Sequence, residues 1–258
     1  MIKINVNKKI VIIFFSILLL FVVAMNLFKT LIYKPDFNMD VFNSYEYKYL
    51  NFINNDKYIF IEPKNNKNIN TGIIFYPESL VDERAYLPLL AELSKEGYGV
   101  YIVKYPFKLP GLNKGTAQKI IKEDYYDEYV LMGHSLGVKA LFKHLSKQGD
   151  AINKINSIIL LAGYNDGTYD FNLANNKKFY NKVLSIIGTK DNIVNQKTYE
   201  NYKINLPKNT QYLSIDGGNH SYYGNYGKQR NDGEAEISRE KQQFFVIYAI
   251  KKFLSEFN

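Results

Sequence analysis

The sequence predicts an α/β fold, with a mostly parallel central sheet covered by helices on both faces. Two observations carry that expectation. From Thr71 onward, short apolar runs rich in β-branched residues alternate regularly with helix-forming stretches. Those runs are nearly all apolar, as strands buried on both faces must be. The chain has 258 residues, 46% of them hydrophobic, enough for one substantial core and too apolar for global disorder.

The elements follow in order. GIIFY (Gly72 to Tyr76) is a strand. Tyr86 to Glu96 is a helix, with Leu87, Leu90, Ala91 and Leu93 on its apolar side and a stop at Gly97. GVYIV (Gly99 to Val103) is a strand and Asn113 to Lys122 a helix. YVLM (Tyr129 to Met132) is a strand, and Leu136 to Leu145 a helix. SIILLA (Ser157 to Ala162), VLSII (Val183 to Ile187) and Tyr212 to Ile215 are further strands. Ser238 to Phe257 reads as a long closing helix capped by Ser238. Ahead of Thr71, Tyr33 to Asn70 is polar and rich in Asn and Tyr; it reads as a linker with one or two leading strands, YIFI (Tyr58 to Ile61) being the best candidate. NNKNIN (Asn65 to Asn70) reads as a turn or loop.

The first thirty residues stand apart. Ile10 to Met25 contains one polar residue, Ser16, and no polar face. Extended to Phe28, the run makes a helix of about 28 Å, close to the ~30 Å of a hydrocarbon core. A membrane anchor and a cleavable signal peptide are the two readings, Val22 and Ala24 offering a small-residue cleavage site. The apolar run passes that site unbroken, which favours the anchor. Lys3, Lys8 and Lys9 precede it, while Lys29 and Lys34 are diluted by Asp36 and Asp40. The asymmetry places the N-terminus in the cytoplasm and the main domain outside. The division expected is therefore an anchor or signal segment at 1–30, a linker and leading strands at 31–70, and the core at 71–258.

Composition excludes several classes of function. The chain has no Cys, so no disulfide, thiolate metal site or Cys nucleophile exists in it. Its formal net charge of +8 comes from 33 basic and 25 acidic residues. These form no Arg-rich stripe, so no nucleic-acid partner is expected. The charge suits an anionic membrane or wall surface instead.

The chemistry lies in Gly133-His134-Ser135-Leu136-Gly137, a G-x-S-x-G sequence between the strand YVLM and the helix beginning at Leu136. That context defines a nucleophile elbow. The sharp turn strains the Ser backbone, crowding admits only small residues at the two Gly positions, and the hydroxyl stands above the carboxyl end of the sheet. The Leu136 N–H, at the helix start, faces a developing oxyanion. A Ser hydroxyl needs a base. Of three His, His134 lies inside the elbow and points away from Ser135, and His144 lies some two and a half turns along the helix. His220, in the Gly-rich stretch IDGGNHSYYGNYG, remains. A carboxylate must fix its tautomer. Asp191 follows a strand end and is preferred over Asp166, Asp170 and Asp216. The chain order Ser135, Asp191, His220 fits this arrangement.

GHSLG, IIGTKD and GGNH in this order resemble the α/β-hydrolase superfamily over Thr71 to Asn258. Within it the chain is similar to a compact subgroup near the dienelactone-hydrolase-like proteins. The YP-x-x-x-VD sequence Tyr76 to Asp82 and the segment HSYYGNYGKQRNDGEAEISREKQQ carry that likeness. The resemblance implies a second oxyanion donor in the backbone near Glu78 or Ser79, where Gly is commoner; Glu78 is expected to contribute its N–H, with its side chain at the surface. Only nineteen residues separate Ala162 from Lys182, so no large lid domain is expected. Ser79, Tyr222 and Tyr223 are candidates for a substrate pocket, although Tyr222, Tyr223 and Tyr226 equally suit the packing of a long loop. Asp232-Gly233 reads as a tight turn in that loop.

The expected protein is a serine hydrolase acting on a carboxylic ester or thioester of a small acyl group, without metal or organic cofactor. An acyltransferase with the same triad and a non-catalytic binding module on the same scaffold are the alternatives.

Overall fold

The computed structural model describes residues 8–64, 70–123, 125–147 and 149–257. Most of the expected turn at 65–70, and Lys3 ahead of the apolar run, lie outside them. Eight strands form one sheet: β1 (Leu50–Asn54), β2 (Tyr58–Pro63), β3 (Thr71–Tyr76), β4 (Gly99–Val103), β5 (Glu128–His134), β6 (Ile155–Leu161), β7 (Val183–Gly188) and β8 (Gln211–Ile215). Their spatial order is β1-β2-β4-β3-β5-β6-β7-β8. The β1–β2 and β2–β4 pairs are antiparallel, and all others are parallel.

The helices are α1 (Lys8–Thr30), α2 (Leu87–Lys95), α3 (Thr116–Lys122), α4 (Leu136–Leu145), α5 (Gln196–Tyr202) and α6 (Arg239–Leu254). Alternation along the central strands sends successive side chains into two cores. Ile73, Phe75, Val130, Met132, Ile159 and Leu161 face α2 and α6. Ile74, Tyr76, Leu131, Ile158 and Leu160 face α3 and α4. Both faces are therefore covered, which explains the unbroken apolar runs. Ser238 caps α6, its side chain accepting from the Lys241 N–H at 3.2 Å.

Sequence pattern did not reveal α5. Its seven residues, QKTYENY, bury only Tyr199, whose hydroxyl meets Ser185 Oγ at 2.7 Å. One anchoring ring in a polar heptapeptide leaves no helical period to read.

Helix α1 includes an apolar stretch, Val11–Thr30, long enough to cross a membrane and with none of its residues buried. The chain after it does not run free. The Tyr33 N–H donates to the Leu80 carbonyl at 2.8 Å, and the Asp82 N–H to the Tyr33 carbonyl at 2.9 Å, a short parallel bridge. The Asp36 N–H donates to the Asn225 carbonyl at 3.0 Å, and the Asp36 carboxylate pairs with Arg239 at 2.6 Å.

Two small residues hold the turn between β5 and α4. A Cβ at Gly137 would collide with the backbone carbonyls of Tyr76 and Pro77, and one at Gly133 would crowd the start of α4. Gly137→Ala should therefore force apart β3 and α4. A loss of roughly 2 kcal/mol of unfolding free energy is expected, read as a lowered denaturant midpoint.

Candidate active site

Ser135 sits on the turn from β5 into α4 with φ 52° and ψ −121°, a conformation that a non-glycine residue adopts only under constraint. Its N–H donates to the Leu161 carbonyl at 3.0 Å, and the Val138 N–H donates to its carbonyl at 3.0 Å. These bonds, with the crowded glycines, fix the turn. Leu136 opens α4, where the first amides have no partner inside the helix.

His220 follows β8 and is wholly buried. Its Nδ1 lies 2.8 Å from Asp191 Oδ2. Asp191 is itself fixed, its Oδ1 accepting from the Ile193 and Val194 N–H groups at 2.9 and 2.8 Å. The other acids stand elsewhere: Asp166 pairs with Lys139 at 2.6 Å, Asp216 accepts from the Thr189 hydroxyl at 3.3 Å, and Asp170 is exposed.

The sequence reading of Glu78 as a surface side chain is corrected. Glu78 is 5% exposed, and its carboxylate occupies the centre of the site. Oε1 accepts the Ser135 hydroxyl at 2.9 Å and lies 3.4 Å from His220 Nε2. Oε2 accepts from Gln229 Nε2 at 2.7 Å. Ser135 and His220 thus meet on one carboxylate oxygen. The expected Gly at this position would have left the space empty. Sequence pattern gave no signal for this inward turn, because Gln229 and His220 reach Glu78 from more than 140 residues away. The Glu78 N–H donates to the Tyr86 hydroxyl at a long 3.4 Å.

The electrostatics follow from this crowding. Burial opposes charge on His220, but the Glu78 carboxylate and the hydrogen bonds to Asp191 and Glu78 outweigh it and push its pKa up to about 10. Burial opposes charge on Glu78 as well, yet the charge of the His220 imidazolium and its hydrogen bond, with that of the Ser135 hydroxyl, hold its carboxyl below the usual range. His134 is neutral: burial first, then the His220 charge, bring it down to about 3. Its ring lies 4.8 Å from that of His220, and its Nδ1 bonds the Tyr86 hydroxyl at 2.8 Å. His144 packs into the core at 7% exposure, and burial lowers it to about 4. Glu78, His134 and His220 also offer three ligand-type atoms within 4.8 Å of one another.

The loop after His220 has a carboxylate of its own. Asp232 is 5% exposed. It accepts from the His220, Ser221 and Gly233 N–H groups at 3.3, 2.8 and 2.7 Å, and from the Ser221 hydroxyl at 2.6 Å. It is more than a turn former: it ties the far end of the loop back to His220. Tyr223 is enclosed by the core, its hydroxyl donating to the Ile186 carbonyl at 3.3 Å, and Tyr226 packs between Tyr33 and Tyr86. Loop packing therefore describes both, and the pocket expectation for Tyr223 is corrected. Tyr222 and Ser79 are half-buried.

The sequence pattern of the Alpha/beta hydrolase family matches residues 72–244. The chain belongs to that family. No curated protein sequence matches the chain. Solved structures share the fold at low identity. A predicted CIB-like hydrolase from Thermoplasma acidophilum is 17% identical, with a TM-score of 0.53 over 79% of this chain and 97% of that one. A serine hydrolase without lid from Xanthomonas campestris is 12% identical, with a TM-score of 0.55 over 81% and 95%. A soluble variant of monoglyceride lipase from Saccharomyces cerevisiae is 13% identical, with a TM-score of 0.54 over 80% and 94%.

Asp232→Ala would leave three buried amides and a hydroxyl without their acceptor. A loss of about 2–3 kcal/mol in stability is expected, visible as a lowered melting temperature.

Proposed function

We propose that the protein is a serine hydrolase that cleaves a carboxylic ester or thioester through an acyl-enzyme, with Ser135 as nucleophile, His220 as base and Asp191 as its orienting carboxylate. The observation that carries this reading is the strained Ser135 on the elbow, converging with a His220–Asp191 pair on one shared oxygen of Glu78.

Neutral His220 is the base. Ser135 Oγ turns from Glu78 toward Nε2 and gives it the proton as the Oγ–C bond forms. The carbonyl electron pair moves to oxygen, which the Leu136 N–H receives; the backbone near Glu78 is the second donor in this reading. Collapse breaks the bond to the leaving alcohol or thiol, which takes the proton from Nε2. Water then repeats the sequence and frees the acid. The imidazolium formed on attack lies between two carboxylates, so the transfer from Ser135 costs less than it would to an ordinary imidazole.

The same pairing governs pH dependence. A raised pKa keeps His220 protonated, hence inactive as a base, until the pH approaches about 10. Activity should therefore climb with pH well beyond the ordinary His range. Glu78→Gln removes the main charge that favours the imidazolium, so the midpoint of kcat/KM against pH should fall toward neutrality. A midpoint unchanged in that variant would contradict the role given to Glu78.

A fluorophosphonate probe should label the wild-type protein and not Ser135→Ala. Labelling of both alike, or of neither, would sink the hydrolase reading. His220→Ala should lower kcat for a short ester by at least about 10³-fold while folding is kept.

We further propose that α1 anchors the chain in a membrane, with Lys8 and Lys9 on the cytoplasmic side and the core outside. Retention of residues 1–30 in the mature protein, read by N-terminal sequencing, tests it.

A further inference from the structure

The connection between α1 and the core is short and fixed. Two residues, Leu31 and Ile32, separate Thr30 from Tyr33 in the bridge, so the three peptide steps reach at most about 11 Å. The headgroup layer of a leaflet is roughly 5–8 Å deep. The bridge therefore stands at the level of the headgroups when α1 spans the hydrocarbon.

The bridge joins the loop that carries Glu78. Tyr33 pairs through its backbone with Leu80 and Asp82, two and four residues beyond Glu78. The Tyr33 hydroxyl accepts from the Arg230 N–H at 3.0 Å, next to Gln229, the residue that holds Glu78. Asp36 grips Asn225 and Arg239. The segment after α1 thus clasps the loop after β3 and the loop after His220, the two walls of the site.

Apolar side chains continue from α1 onto this mouth. The Phe28 ring, in the last turns of α1, meets Phe107 edge-on at 6.1 Å. Phe107 neighbours Lys108, whose carbonyl accepts from the Leu80 N–H at 2.8 Å. Leu31, Phe107 and Leu136, beside the nucleophile, are 56, 54 and 45% exposed. Lys29 and Lys34, also exposed, flank Leu31 and suit anionic headgroups. Phe107 keeps an outward ring despite a left-handed φ of 54°, a conformation that Asn tolerates better than Phe.

From this continuity we infer that the mouth of the site opens at the membrane surface beside the anchor, and that the substrate is an amphiphilic ester drawn from the bilayer. The inference rests on the serine hydrolase and anchor readings above. Phe107 and Leu31 sit among the lipids and admit an acyl chain from the leaflet directly to Ser135.

The test uses the full chain in phosphatidylcholine vesicles, with a water-soluble acetyl ester and a long-chain acyl ester dissolved in the same vesicles. Phe107→Asn and Leu31→Asn should each reduce turnover of the vesicle-borne ester roughly tenfold, in line with the apolar burial lost. Turnover of the acetyl ester and fluorophosphonate labelling of Ser135 should stay at the wild-type level, which also reports that the variants are folded. Insertion of a long Gly-Ser linker between Thr30 and Leu31 should act in the same sense. Equal losses on both esters, or no loss on the vesicle-borne one, overturn the inference. Absence of any acetyl ester turnover or labelling in the wild type instead removes the hydrolase reading on which it stands, and a mature chain lacking 1–30 removes the anchor.

Discussion

One imidazole between two carboxylates organises this molecule. Asp191 holds Nδ1 of His220, and Glu78 lies against its Nε2. Burying three ionisable groups together is costly unless pairing and hydrogen bonding compensate, and here one cation between two anions and the hydrogen bonds from Gln229, Ser135 and two backbone amides together balance that cost. The rest of the site is built to keep that balance. Asp232 pins the loop that presents His220, and the neutral His134 lies beside it without adding a charge. On the serine hydrolase reading proposed above, such a site trades availability for strength: a His220 raised to about 10 is seldom neutral at pH 7, but once neutral it takes a proton more avidly than an ordinary His.

The outline of this arrangement was legible in the sequence, and its centre was not. Strands made almost wholly of apolar residues predict a sheet covered on both faces, because a polar side chain there needs a buried partner, as Ser185 has in Tyr199. The elbow was legible because steric limits force a local pattern: strand, small residue, Ser, small residue, helix. His220 emerged by elimination among three. Glu78 stayed hidden because its role depends on partners in distant loops, and a lone Glu in a surface-like loop carries no mark of which way it turns. Asp232 was hidden for a similar reason, its partners His220 and Ser221 standing twelve and eleven residues earlier in the loop. Tyr223 was misplaced because a Tyr beside a site residue reads alike whether its ring lines a pocket or fills the core below it.

Residues 31–49 show how composition misleads about order. Their polar character reads as a linker, yet Tyr33, Phe37, Phe42 and Tyr47 each find an apolar partner on or beside the main core. Scattered aromatic residues in a polar background make no period, so pattern does not reveal them. Each ring nevertheless brings a large buried area, and a few suffice to fix a segment whose only regular structure is two short 3-10 turns, Met39–Asn43 and Tyr45–Tyr47.

That fixation changes what the N-terminal helix means for the chemistry. An anchor on a loose tether leaves the orientation of its domain free, and the site then samples solvent in every direction. A tether bridged to the loop of Glu78 and clasped to the loop of His220 removes that freedom. The conformational entropy of orienting the domain is lost once, on folding, and not at each encounter with substrate. The same bonds that hold Tyr33 and Asp36 in place brace the two loops whose relative position sets the distance between Glu78 and His220. If α1 anchors the chain as proposed, orientation at the membrane and the geometry of the site depend on one set of contacts, and neither is free to drift without the other.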